Sequence, residues 1–219
     1  MAAQLKAAQG GAVRFNLDGR DIDALDGETI WEAARRHAVE IPHLCYLEDH
    51  EGLRSDGNCR VCMVEIEGER TLQPSCCRQP SPGMKVHSAN ERARRAQKLV
   101  LELLEADAPD QSHRADSRLS YYANRLDVGA PRFATRSQPA PDLSHPAIAV
   151  NLDACIQCTL CVRACREVQG NDVIGYALRG VDSHIMFDID DPMGQSTCVG
   201  CGECVAVCPT GALSNAVRA

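Results

Sequence analysis

Two near-copies of one motif constrain this chain more than anything else in it: CIQCTLCVRAC at 155–165 and CVGCGECVAVC at 198–208. Both follow the spacing C-x2-C-x2-C-x3-C. Three cysteines at x2 spacing wrap the chain around one corner of a compact four-iron cube, and a fourth, after x3, enters a helix and points away. A tetrahedral zinc site uses two C-x2-C pairs and would leave the third cysteine of each copy idle. Disulfide frameworks belong to small secreted chains. The repeat therefore points to two cubane [4Fe–4S] clusters.

In two-cluster ferredoxins the last cysteine of each run ligates the other run's cluster. The predicted sets are thus crossed. One is Cys155, Cys158, Cys161 and Cys208; the other is Cys198, Cys201, Cys204 and Cys165. Pro209 follows Cys208 as the motif expects, whereas Arg166 replaces proline after Cys165.

A different spacing precedes these runs. Cys45, Cys59, Cys62 and Cys76 place a C-x2-C pair between two distant cysteines, which suits a [2Fe–2S] cluster wrapped by a long loop. The spacing is not that of plant-type ferredoxins, and a four-cysteine zinc site stays open as the alternative here. Ser55, Gly57 and Asn58 lie where backbone N–H groups approach bridging sulfurs, and Gly57 permits a tight bend. Cys76 is preferred to Cys77 as the fourth ligand, which leaves Cys77 as an ordinary buried thiol. Twelve of the 13 cysteines are then assigned. His43 and His50 flank Cys45, but four cysteines already suffice without a Rieske-like pair.

The cysteines divide the chain. None lies between 78 and 154, which suggests a [2Fe–2S] domain at 1–87, a helical connector and linker at 88–146, and a two-cluster domain at 147–219. In the first part, Val13, Phe15 and Leu17 alternate with polar residues, Asp18-Gly19 turns the chain, and Ile22 and Leu25 continue. Thr29 and Glu32 form a capping box for a helix that Pro42 ends. A second hairpin turns at Glu67-Gly68. Two hairpins around one helix fit an α+β domain of the β-grasp kind. In the connector, apolar positions 93, 96, 99, 100, 103 and 104 mark one helical face, capped by Ser88 or Asn90. Arg92, Arg94 and Arg95 make its first turns basic, as a solvated face. A shorter helix is expected near 115–128, then a proline-rich linker at 129–146. Two short strands with a turn near Gly180 to Ser183 separate the cysteine runs. The fold class is α+β, with the connector joining a β-grasp domain to a bacterial-ferredoxin-like domain.

Several functions are excluded. The start of the chain lacks an apolar signal core, and no run approaches eighteen apolar residues, so no membrane span is expected. A net charge of −7 argues against nucleic acid as the main partner. No G-x-G-x-x-G opens a helix after a strand, no Walker loop occurs, and none of the seven histidines forms H-E-x-x-H. A cytoplasmic protein with thiols kept as metal ligands is expected.

CRVCMVEIEGE, PSCCRQPSPGMKV, VNLDACIQCTLCVRACREVQGNDVIG and STCVGCGECVAVCPTGAL together resemble the N-terminal iron–sulfur region of the large subunit of NAD-linked, molybdenum- or tungsten-dependent formate dehydrogenases. Related arrangements occur in the diaphorase iron–sulfur subunit of NAD-reducing hydrogenases and in the corresponding subunit of respiratory complex I. The resemblance implies an electron path between a flavin/NAD(H)-binding, diaphorase-type partner and a catalytic subunit, of molybdopterin type if the formate dehydrogenase likeness holds. It matches Cys45, Cys59, Cys62 and Cys76 to the [2Fe–2S] positions and the eight later cysteines to the [4Fe–4S] sites. Two departures stand out. Many relatives hold another [4Fe–4S] cluster in the connector with one histidine and three cysteines. Here that region has His113 and no cysteine, so that cluster is expected to be lost and His113 to be solvated. The chain also stops at Ala219, without the molybdopterin domain of formate dehydrogenase large subunits, as a separate subunit or a fragment. The expected function is electron relay without a catalytic site. Its alternatives are a subunit of an NAD-reducing hydrogenase or other complex, a free-standing ferredoxin, and an iron–sulfur sensor or scaffold.

Overall fold

The computed structural model describes residues 12–47 and 53–216; His50 lies outside them. The chain divides into two compact units, Met1–His43 with Arg60–Gln97, and Leu44–Cys59 with Lys98–Ala219. The sequence reading cuts the chain twice, after residues 87 and 146. The structure instead assigns the loop 44–59 to the second unit and divides the connector helix between the two.

The first unit opens with the hairpin β1 (Val13–Leu17) and β2 (Arg20–Ala24), in register from Val13↔Ala24 to Leu17↔Arg20. Its turn puts Asp18 at φ 50 and Gly19 at φ 84, the left-handed pair that matches strand twist. Helix α1 (Ile30–Arg36) follows, with the Thr29–Glu32 capping box formed in both directions. It ends at Arg36, well before Pro42, so His37 is its cap and not an interior residue. Ala38 turns left-handed at φ 59, and the N–H groups of Ala38 and Val39 return to the Arg35 and Ala34 carbonyls. That exit satisfies the last carbonyls with alanine where glycine is usual.

Strand β3 (Met63–Ile66) pairs with β4 (Gln73–Pro74), with Gly68 at φ 86 in the expected turn. The sequence reading lacks strand β5 (Lys85–His87), yet it joins everything, lying parallel to β1 and antiparallel to β3. The sheet order is β2-β1-β5-β3-β4. Phe15, Leu17, Ile22, Val64, Ile66 and Val86 alternate onto one buried face, against Ile30, Trp31 and Ala34 of α1.

Helix α2 (Glu91–Asp107) is capped by Asn90, whose Oδ1 accepts the Ala93 N–H at 2.9 Å. Ser88 is not the cap; its N–H and hydroxyl both donate to Asp18. The buried stripe runs through Ala93, Gln97 and Leu101, while Leu99 and Leu103 are over 40% exposed. The face is rotated from its apolar pattern because the Gln97 amide donates to the carbonyls of Met63 and Ser88 and so occupies a buried position. Arg92 is paired rather than simply solvated, with Nη1 2.7 Å from Glu65.

In the second unit, α3 (Arg118–Arg125) falls inside the expected span, capped by Ser117. The segment after it has neither helix nor strand through Pro141, but it is tied down. Arg132 donates to Glu102 through N–H, Nε and Nη2 at 2.7–2.8 Å, and the Arg136 N–H donates to Ala106. Strand β6 (Ile148–Val150) leads into the first cysteine loop and α4 (Leu160–Arg163). The hairpin β7 (Ile174–Ala177) and β8 (His184–Phe187) comes next, then the second loop, α5 (Glu203–Val207) and β9 (Leu213–Asn215). β6 and β9 pair antiparallel and bracket both loops. Val150, Ile174, Phe187, Met193 and Leu213 form one buried cluster with Cys155, Cys161, Cys165, Cys204 and Cys208. Among the described residues no helix is long and apolar enough to cross a membrane.

Candidate metal centres

The two cysteine runs fold alike. Gln157 and Thr159 are left-handed at φ 54 and 62, and their counterparts Gly200 and Gly202 are left-handed at φ 69 and 80. Each loop directs one N–H inward: Gln157 donates to Cys155 Sγ and Gly200 to Cys198 Sγ, both at 3.4 Å. The second copy satisfies this backbone with glycine. The first holds strained non-glycine residues by side-chain bonds. The Gln157 carboxamide oxygen accepts from the hydroxyls of Tyr176 and Ser183, and Thr159 Oγ1 lies 2.7 Å from the Cys158 carbonyl. These four positions went unread in the sequence, although aligning the two runs pairs them directly.

The fourth cysteine of each run is not inside a regular α-helix as expected. Cys165 lies in a wider turn at 164–168 that prolongs α4, and Cys208 caps the end of α5. Each reaches the other loop. The charge of Cys208 bears on Cys155, Cys158 and Cys161, and that of Cys165 bears on Cys204 after those of Cys198 and Cys201; Cys204 also bears on Cys161, so the two groups adjoin. Burial is the leading cause that raises these thiols. It pushes Cys155 up to about 11 and Cys204 to about 12, and Cys158 and Cys161 well above the usual range. Four buried sulfurs do not all ionise unaided. A polynuclear iron centre supplies the positive charge that lets them, so the donor set fits an iron–sulfur cluster. Cys201 is exposed and Cys198 half-buried, while Cys155, Cys158, Cys161, Cys165, Cys204 and Cys208 are buried.

Of the earlier cysteines, two fall in each unit. In the first unit, Cys62 and Cys76 bring their sulfurs to 3.2 Å, both buried. Ser75 holds this pair, since its N–H and hydroxyl both donate to the Cys62 carbonyl and its own carbonyl accepts the Trp31 N–H. Cys77 is exposed, contrary to expectation, with its sulfur 3.7 Å from that of Cys76. Consecutive residues cannot share one inward direction here, and Cys76 takes it. In the second unit, the Cys59 N–H donates to Cys45 Sγ at 3.4 Å, and both residues are buried. Gly57 is left-handed at φ 68, and the Asn58 N–H donates to Asp56 Oδ1 at 3.2 Å instead of toward sulfur, while its side chain donates to the Gln157 carbonyl. The Asp56 carboxyl is raised, first by burial and next by the Cys45 thiolate.

His43 is buried with its ring 4.2 Å from that of Trp31. His113 is half-buried rather than solvated, its Nε2 3.1 Å from Asp153 and 3.5 Å from Asp110. It anchors the connector to Asp153. Arg114 and Arg136, also unread in the sequence, lie beside the first cysteine set: Arg114 Nη1 donates to the Cys208 carbonyl at 2.6 Å, and the charge of Arg136 lowers the Cys155 thiol against its burial.

Residues 10–91 match the model of a 2Fe-2S iron-sulfur cluster binding domain, and residues 145–214 match the ferredoxin-like domain of NADH-quinone oxidoreductase subunit 3. The NADP-reducing hydrogenase subunit HndD of Solidesulfovibrio fructosivorans is 34% identical over 91% of this chain and 35% of its own length. An NADH-quinone oxidoreductase subunit of Rickettsia felis is 32% identical over 93% of this chain and 30% of its own length. The chain thus spans about a third of these curated relatives. A chain of the crystal structure of an NAD+-reducing [NiFe]-hydrogenase in the H2-reduced state superposes with a TM-score of 0.83 at 30% identity, covering 93% of this chain and 87% of that one. These relatives favour the hydrogenase-type alternative over the formate dehydrogenase reading. With two cysteine loops folded alike, a matched 2Fe-2S domain and near-complete coverage of a hydrogenase chain, this protein belongs to the family of iron–sulfur electron-transfer subunits of NADH-quinone oxidoreductases and NAD(P)-reducing hydrogenases.

Proposed function

We propose that the chain is a relay of one [2Fe–2S] and two [4Fe–4S] clusters that carries electrons between a flavin/NAD(H)-binding, diaphorase-type subunit and a catalytic subunit, with no bond-making site of its own. Cys45, Cys59, Cys62 and Cys76 hold the two-iron centre. The two crossed sets hold the four-iron centres. The observation that carries the reading is the reciprocal reach of Cys208 to the first loop and of Cys165 to the second. A zinc site has no use for eight sulfurs so interleaved. The metals supply the redox chemistry; the chain supplies spacing, burial and N–H groups aimed at sulfur.

The complex is of the NAD(P)-reducing hydrogenase or NADH-quinone oxidoreductase type, supported by the relatives above, and a molybdopterin partner is not needed to explain the site. Thiols that serve as metal ligands suit a reducing compartment such as the cytoplasm. Ten of the twelve proposed ligands are buried, which supports relay over an exposed sensing cluster.

The test is iron and acid-labile sulfide analysis of anaerobically prepared chain, where about ten of each are expected. Bound zinc without sulfide refutes the reading. Dye reduction by the pure chain with NADH or formate as donor speaks against the absence of a catalytic site.

A further inference from the structure

The connector lacks cysteine but delivers two arginines to the first cysteine set. Arg114 Nη1 donates to the Cys208 carbonyl at 2.6 Å. Its segment packs on the turn after that ligand: the Arg118 N–H donates to the Pro209 carbonyl, and a methyl group at Gly211 would lie 2.6 Å from Arg114 Cβ. Arg136 Nη2 donates to the Ser183 carbonyl, which also accepts Gln157 Nε2 at 2.9 Å, and the Gln157 N–H donates to Cys155 Sγ. Asp116 pairs with Arg114 but is 76% exposed, where water screens its charge.

Cys155, Cys158, Cys161 and Cys208 are all buried. A cluster among them gains one negative charge on reduction, with no bond made or broken. Low dielectric disfavours that gain, and a nearby fixed cation favours it. In the other set, Cys201 is open to water, which performs the same stabilisation. We infer that Arg114 and Arg136 set the reduction potential of the centre held by Cys155, Cys158, Cys161 and Cys208, raising it against the burial that lowers it. The inference rests on the ligand set proposed above.

The experiment titrates the full chain with dithionite and follows both four-iron signals by electron paramagnetic resonance. Arg114→Gln and Arg136→Gln each lower the potential of one signal and leave the other in place. Together they reduce the one-electron reduction constant about tenfold, or about 59 mV. Arg114→Lys returns most of the loss. Glutamine keeps a donor for the Cys208 carbonyl, and Arg136→Gln, which contacts no ligand backbone, stands as the test if Arg114→Gln does not fold. Variants with full iron and sulfide and unmoved potentials overturn the inference, as do equal shifts of both signals. A wild-type chain with iron but no four-iron signal overturns the ligand assignment first, and the inference with it.

Discussion

The side chain of Asn58 donates to the backbone carbonyl of Gln157 across 3.0 Å. One bond thus joins the loop that carries Cys45 and Cys59 to the loop that carries Cys155 and Cys158. Two more fasten the same segments: Arg163 donates to the Arg54 carbonyl, and Thr159 Oγ1 lies 3.1 Å from Asp56 Oδ2. Two cofactor loops are therefore held by polar bonds within one unit, and the Cys45 thiolate is close enough to raise Cys158.

Asn58→Ala removes the first of these bonds at an exposed position. A single hydrogen bond contributes about 0.5–1.5 kcal/mol, and solvent exposure sets this one at the low end. Hydrogen exchange of residues 53–59 is expected to quicken a few-fold. Adding Asp56→Ala deepens the effect, because Asp56 also accepts the Asn58 N–H. Exchange unchanged in the double variant means that the bonds do not hold the loop.

Cys76 and Cys77 are adjacent, yet only Cys76 is buried with its sulfur against Cys62. Cys76→Ser is expected to abolish the two-iron signal, and Cys77→Ser to leave it intact. Mild alkylation of the native chain should modify Cys77 before any of Cys45, Cys59, Cys62 and Cys76, which are buried. Loss of the two-iron signal in Cys77→Ser would sink this assignment.

Local patterns made much of this legible. The β1–β2 hairpin, the capping box of α1, α3 and the β7–β8 turn all depend on residues close in sequence. β5 was missed because three residues carry too little alternation to read, and what makes it a strand is its two neighbours from distant segments. The buried stripe of α2 shifted because Gln97 satisfies its amide inside, which periodicity alone cannot anticipate. The cysteine groups were visible from spacing. The cations beside them were not: Arg114 lies far in sequence from Cys208, and the turn that joins them depends on Gly211, whose φ of 85 and lack of a side chain allow the close approach.

Glu102 anchors the linker through Arg132. The side-chain bonds of Arg132, and next its N–H, hold the Glu102 carboxyl down to about 2, from an ordinary value of 4.5. A depressed carboxylate stabilises the fold above its unfolded pKa and loses that contribution as pH falls through the folded one. Protection of the Arg132 amide, corrected for intrinsic exchange, is expected to hold from pH 7 to about 5 and to decline from about 4.5 toward 2. Glu102→Gln removes the ion pair at every pH. It should open residues 130–138 to trypsin at pH 7, where the wild-type linker resists.

The crossed ligand sets predict a pattern of non-additivity that uncrossed sets cannot produce. Removing any member of one set destroys that centre, so removing a second member of the same set costs no more iron. Cys155→Ser with Cys208→Ser should retain about six irons, as either substitution alone does, because both belong to one centre. Cys155→Ser with Cys165→Ser should retain about two, although both residues lie in the same run. If each run holds its own cluster, the two results exchange: the pair within one run keeps about six irons and the pair across runs keeps about two. Iron analysis of these two double variants therefore decides whether Cys208 and Cys165 ligate across the loops, and serine, close in size to cysteine, limits the packing change that accompanies each loss.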